Sequence, residues 1–408
     1  MIISAFLPYI IIYGVAVVLM AISMLFYGKG KLNDYIFWLA WIALLVFVGF
    51  RDQSVGSDTA NYLSSFHHPE SGYGENGDTD PGFLLYLYLS HYLLFDQGTL
   101  FLLLTALVGL GGIGYVTRKN SAMPVLSLVF FATFGTATIF LFHYLSAVRQ
   151  TLAEGLFLLS VYFFLGKQRD EYRLLLLQDK EEEEITAEKK EELIPDRNIG
   201  LAAILFFIAA LIHGSTWAML PVLFIARFLK FKRWIWAAII VGTYAFGVQS
   251  IVSVQDIVFA IFSLFGRSSD NYLARYGNYG DWGHGEVEMS LINPNMWPFC
   301  ILALYLIFRS DKVFIKSQWV ILFLLSVVFN NLFNDNIIWS RLFLYISLLS
   351  LFVIPNVIAL QKKRWIDYGF IAVFVAYSIM RATKILIAIW IAPEGNVVIP
   401  YEFTDFTI

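Results

Sequence analysis

Trp41-Ile-Ala-Leu-Leu-Val-Phe-Val-Gly-Phe50 runs without a charge into Arg51-Asp-Gln-Ser-Val-Gly-Ser-Asp-Thr-Ala-Asn-Tyr62. The first ten residues finish an apolar run that begins near residue 32. A helix needs about 20 such residues to cross the hydrocarbon core of a bilayer. If the run crosses a membrane, Arg51 and Asp58 stand where it meets water. Gly56 permits a tight turn there, because it has no Cβ to clash at positive φ. An Arg and a carboxylate folded together at a membrane surface form an ion pair. They also make half of an active site, one group for an anion and one for a proton.

Working outward, the whole chain has the character of that first run. Of 408 residues, 59% are hydrophobic and only 14% are charged. Soluble domains carry about 25% charged residues, so the composition predicts an all-α, polytopic integral membrane protein forming a single transmembrane domain over 1–408. The net charge of −3 argues against a nucleic-acid partner. One cysteine, Cys300, excludes an internal disulfide and a cysteine-rich metal site. The apolar start lacks a basic leader and a small-residue cleavage site, and reads as a retained span. No nucleotide or metal-ligand motif is evident, so no cofactor and no bound metal are expected.

Twelve spans are expected, near 5–27, 32–50, 99–116, 122–142, 144–165, 199–213, 215–229, 234–255, 291–308, 316–333, 338–360 and 366–390. The pair over 199–229 is short enough to be one tilted helix or two half-helices. Residues 82–95 are apolar but too few to cross, and read as re-entrant or interfacial within an outer loop, 51–98. With that assignment one side holds 21 of the 28 Lys and Arg residues, seven of them in loop 166–198. The positive-inside rule makes that side the cytoplasm. Loop 166–198 is then a charged cytoplasmic excursion, and 256–290 is an outer loop.

Seven basic residues remain outside: Arg51, Arg149, Arg267, Arg275, Arg341, Arg381 and Lys384. Six are Arg, whose planar fork binds phosphate oxygens in pairs and stays protonated when partly buried. Such a set suits a phosphate or pyrophosphate held at the membrane surface; the plain alternative is pairing with acids or headgroups. In His143-Tyr-Leu-Ser-Ala-Val-Arg149-Gln-Thr-Leu-Ala-Glu154 the chain is expected to enter the fifth span from outside, with Arg149 about two turns deep. A cation there marks a pathway or a site. His213-Gly-Ser215 closes the 199–213 segment and offers a proton shuttle and a hydroxyl. Arg267 and Arg275 lie in a Gly-, Asn- and Tyr-rich stretch suited to sugar faces, or to an ordinary Gly-rich lid. Asp78-Thr-Asp80-Pro-Gly adds two acids to the first outer loop.

Taken together these motifs resemble the EpsG family of Wzy-like polysaccharide polymerases. Arg51-x4-Gly56-Ser57-Asp58-x3-Tyr62 resembles its Arg…Gly-Thr-Asp…Tyr signature, with Ser57 in place of Thr and Thr59 where an aromatic is common. Arg149-Gln150, Ile212-His213-x-Ser215 with Pro221, Arg341 with Tyr345, and Ile399-Pro400-Tyr401 resemble its later motifs in order. The resemblance implies a bacterial inner-membrane glycosyltransferase active outside the cytoplasm, and a GT-C-like fold is compatible with it. The implied substrates are polyprenyl-diphosphate-linked oligosaccharides, as donor and as acceptor, joined into an exopolysaccharide, capsule or O-antigen without nucleotide sugar. The lipid bilayer is the remaining partner, and a chain-length regulator fits the same scheme. The candidate catalytic residues are Asp58, His213 and Arg149; candidate substrate-binding residues are Arg51, Arg341, Ser215, Tyr62, His143, Arg267 and Arg275. Two other readings stay open: a flippase or transporter of lipid-linked glycans, and a cell-envelope ligase or acyltransferase.

Overall fold

The computed structural model describes residues 2–26, 30–71, 80–135, 139–179, 197–249, 296–333, 342–361, 364–391 and 398–403. Arg267, Arg275, Arg341 and Asp78, with the whole of 256–290, lie outside these residues. Every regular element among the described residues is helical, and the sole β pairing among them is one antiparallel bridge, Arg51 to Phe403.

In chain order the helices are α1 (Ile2–Leu25), α2 (Gly30–Gly49), α3 (Thr59–His67), α4 (Pro81–Leu93), α5 (Gly98–Asn120) and α6 (Pro124–Thr133). Then come α7 (Phe140–Ser146), α8 (Val148–Leu165), α9 (Gln168–Asp179), α10 (Ile199–Ile212), α11 (Met219–Ala226) and α12 (Arg233–Gln249). The last are α13 (Trp297–Arg309), α14 (Gln318–Leu332), α15 (Leu344–Ser347), α16 (Ser350–Leu360) and α17 (Arg364–Ile391). Proline opens α4, α6 and α13, where its missing N–H costs nothing. The Asn198 side chain caps α10 by accepting from the Leu201 amide at 3.0 Å.

Five stretches are long and apolar enough to cross a membrane: Ala5–Leu25, Lys31–Gly49, Gly98–Asn120, Val148–Arg173 and Arg364–Ile391. With the shorter apolar helices around them they make a multi-pass membrane protein. Of the twelve expected spans, these five reach full length among the described residues. Others are represented among the described residues by shorter apolar helices: Pro124–Thr133, Ile199–Ile212, Gly214–Ala226, Trp297–Arg309, Gln318–Leu332 and Leu344–Leu360. The expected span 122–142 stops at Thr133, and the 199–229 pair proves to be two half-helices joined by a 3₁₀ turn, Gly214–Ala218. Loop 166–198 starts with helix α9. Residues 81–93 form a helix of 13 residues, about 20 Å long.

The core is a row in which α8 lies between α5 and α10. Backbones approach closely along its first seam, because a Cβ on Gly155 would stand 2.4 Å from the Gly109 carbonyl, and one on Gly112 2.4 Å from that of Gly155. Small residues at a helix crossing let dispersion and backbone contacts drive packing in lipid. At the edge, α1 turns Ile10, Ile11, Val15 and Val18 outward, as a lipid-facing helix does.

Candidate active site

Helices α7 and α8 are broken at Ala147, whose φ of −90° and ψ of 67° leave the helical region. This corrects the expectation of one continuous entry from His143 to Glu154: Arg149 lies in the first turn of α8. The break is braced by the turn that follows α2. Thr59 shares its hydroxyl proton between the Val55 carbonyl at 2.7 Å and the Leu145 carbonyl at 3.2 Å, so the latter has a donor without a continuous helix. Gly56 has a φ of +97°, and a Cβ there would lie 2.1 Å from the Leu145 oxygen. Only glycine fits, for both reasons.

A second break faces the first. α10 ends at Ile212, and His213 has extended backbone before the 3₁₀ turn. The start of α4 lies against this break, because Gly82 leaves room for Leu211, 2.7 Å from where its Cβ would be. Asp80 precedes Pro81 at the N-cap of α4, yet its side chain does not cap that helix. Its Oδ2 lies 3.1 Å from Arg149 Nη1 and 3.7 Å from His213 Nδ1. The second distance is too long for a hydrogen bond. The side chains of Asp80, Arg149 and His213 are 29%, 20% and 21% exposed, so the cluster is sheltered but reachable. Burial would raise the Asp80 carboxyl, but His213, Arg149 and the Gly214 amide outweigh it and hold the pKa below its ordinary value. The Arg149 guanidinium also lies over the Phe83 ring, 5.9 Å from its centroid.

Beneath this cluster are hydroxyls and one buried acid. Tyr345 OH lies 3.3 Å from Ser215 Oγ and 3.1 Å from Thr216 Oγ1. Glu154, fully buried on α8, has Oε1 3.0 Å from His143 Nε2 and accepts from Gln150 Nε2 at 3.0 Å. Its Oε2 and the buried Tyr144 hydroxyl have no hydrogen-bond partner among the described residues. Buried polar atoms left unsatisfied are uncommon and call for a ligand, a water or a proton.

Of the expected site residues, Arg149, His213 and Ser215 converge, and His143 lies one layer below on Glu154. The carboxylate that pairs with Arg149 is Asp80; Asp58 stands at the N-cap of α3, its carbonyl accepting from the Tyr62 amide at 3.0 Å. Tyr62 packs its ring edge-on to Phe83, 5.7 Å away, and so supports the ring under Arg149. Arg51 is 2% exposed, donating to the Val48 carbonyl at 2.6 Å, with Thr59 Oγ1 3.4 Å from its Nε. Burial pulls its pKa down to about 10, still far above neutral, so it remains a cation. It holds the 398–403 segment and the 51–59 turn, outside the Asp80 cluster. Arg381 donates to the Gly135 carbonyl at 3.0 Å. Arg341, Arg267 and Arg275 lie outside the described residues. Sequence reasoning undervalued Asp80, Glu154 and Tyr345. The one local signal for Asp80 was an acid before Pro-Gly at the start of a helix too short to cross. Among the described residues no three His, Cys, Asp or Glu side chains gather as metal ligands.

No curated protein and no solved structure matches the chain. A family model does match, over residues 34–178 and 193–403, which takes in α4, both broken helices, Tyr345 and the 398–403 segment. The matched regions cover most of the sequence and include each residue of the Asp80 cluster: the chain belongs to the EpsG family.

Proposed function

We propose that this protein is a glycosyltransferase that polymerises polyprenyl-diphosphate-linked oligosaccharide repeats at the outer face of the bacterial inner membrane. In this reading the half-helices pair up to give about twelve crossings, with the Asp80 cluster on the outer side. Family membership supports a polysaccharide-polymerase-type membrane protein. The observation that carries the mechanism is the shared carboxylate oxygen of Asp80, with Arg149 on one side and His213 on the other.

The reaction has two demands. An acceptor hydroxyl attacks the anomeric carbon of the donor, and the bond from that carbon to the diphosphate oxygen breaks. Negative charge grows on the departing polyprenyl diphosphate, and a fixed guanidinium at Arg149 stabilises it without moving. The hydroxyl proton passes to the His213 ring at Nε2, while Asp80 steadies the imidazolium from the Nδ1 side. Ser215 and the Tyr345 hydroxyl supply hydrogen bonds to sugar. Asp58, on the neighbouring turn, is the reserve base.

Arg149→Lys keeps the charge and loses the paired N–H fork. Purified Arg149→Lys is expected to fold yet extend a lipid-linked repeat at least about a hundredfold more slowly, as when one preorganised donor is lost. His213→Asn should bind donor and stall. Wild-type chain length from Arg149→Lys would falsify the assignment of Arg149 to the leaving group. Failure of the wild type to extend a lipid-linked repeat, while moving it across a vesicle, would favour the transporter reading.

A further inference from the structure

The helix whose first turn holds Arg149 ends beside a second polar site. Leu165, its last residue and two before Lys167, lies sixteen residues beyond Arg149, about 24 Å along a helix at 1.5 Å per residue. That is close to the roughly 30 Å of a bilayer's hydrocarbon core. Here the ends of α5, α8 and α16 and the start of α9 enclose a cavity of about 410 Å³. Its lining carries Arg118, Lys119, Lys167 and Arg169, and no Asp or Glu. Four acids stand just outside it: Asp34 pairs with Arg118, Asp170 lies 3.6 Å from Arg169, Asp311 accepts from the Tyr172 hydroxyl and the Phe314 amide, and Glu171 accepts from Ser317 and Gln318. Lys119 Nζ rests over the Tyr115 ring at 5.6 Å. The acids are engaged by residues at the rim, and the lining itself carries only positive charge.

The buried amides of the lining matter as much as its charge. Asn120 and Gln168 both line the cavity and are 5% and 1% exposed. Their acceptors are occupied: Asn120 Oδ1 takes the Gln168 amide at 3.0 Å, and Gln168 Oε1 takes Asn356 Nδ2 at 2.7 Å. Their donors are not, because neither Asn120 Nδ2 nor Gln168 Nε2 has a hydrogen-bond partner among the described residues. The positive-inside bias accounts for basic residues in loops. It does not account for their convergence on two buried amides that lack an acceptor.

We propose that this cavity binds the phosphate of a phosphate ester, with Arg118, Lys119, Lys167 and Arg169 supplying charge and Asn120 and Gln168 supplying directed donors. Its place at helix ends, a bilayer's thickness from Arg149, matches a basic pocket for an anionic lipid headgroup. The site is independent of the reaction proposed above.

The test follows the thermal midpoint of the purified full chain in detergent as dioleoylphosphatidylglycerol or glycerol phosphate is added. Lys167 is partly exposed and Arg169 exposed, so Lys167→Ala/Arg169→Ala spares the core. Wild type is expected to rise with the lipid, and this double variant to need about tenfold more lipid for the same rise. Lys232→Ala/Lys312→Ala removes two exposed charges outside the cavity and should titrate like wild type. A rise with glycerol phosphate that Lys167→Ala/Arg169→Ala weakens supports the site and assigns it to soluble esters. Equal titrations of wild type and Lys167→Ala/Arg169→Ala with both probes, no rise with either, or an equal loss in Lys232→Ala/Lys312→Ala would each overturn the proposal.

Discussion

A carboxylate between a guanidinium and an imidazole gives up its proton early, and that sets how the site answers to pH. The ordinary Asp pKa is about 3.9, and Asp80 is held lower by His213 and Arg149 against its burial. A depressed native pKa means the folded state favours the charged form. Its contribution to stability is complete above the unfolded value and is lost as pH falls through the native one. The margin of wild type over Asp80→Asn that Asp80 itself contributes is therefore expected to persist at neutral pH and to be lost as pH falls below about 4. Melting curves of the two proteins across that range check it; a gap that widens on acidification would mean that the folded protein holds Asp80 protonated. The sequence made Arg149 and His213 legible because a charge within an apolar run and a His at its end are both conspicuous. Asp80 was obscured, since Thr-Asp-Pro-Gly reads as an ordinary helix start and its partners are far away in sequence.

Between elements, the α5–α8 seam fixes where the Arg149 helix can sit. Gly155 meets the Gly109 carbonyl with no room for a methyl, whereas nothing lies within 4 Å of a Cβ on Gly111. Gly155→Ala should lower the thermal midpoint by the cost of overpacking, about 1–3 kcal/mol. Gly111→Ala should hold or raise it, as alanine replaces glycine within a helix. Fluorescence-detected melting of both variants in detergent tests the seam, and equal midpoints would reject it. The apolar runs announced most helices to within a few residues. Their breaks were harder to see, because no Pro or Gly marks Ala147. That break depends on a hydroxyl from Thr59, 88 residues earlier, and the His213 break on Tyr345 far downstream. Such partners are tertiary, and hydrophobic periodicity carries no trace of them.

For the whole molecule, the arrangement of faces is the claim on which the chemistry depends. Cys300 is buried and donates to Asn331 Oδ1 at 3.2 Å, so its replacement by Ala leaves a background for labelling. In that background a membrane-impermeant maleimide should reach Glu70→Cys on intact cells, and Lys312→Cys only after the membrane is opened. The reverse pattern would turn the molecule over and put the Asp80 cluster in the cytoplasm. Basic residues made one side legible before any fold was known; what they left hidden was how the two ends of the chain meet. Tyr401 stacks on Phe47 at 4.0 Å and donates to its carbonyl, 354 residues away in sequence. A ribosome adding about 5–20 residues per second needs roughly 20–70 s to cover that distance. Throughout that interval Arg51 and the turn that shapes the Arg149 helix await the 398–403 segment. The nascent protein therefore passes through a long unsealed stage, in which the early helices are inserted and the corner around Arg51 is still open to whatever else the membrane offers.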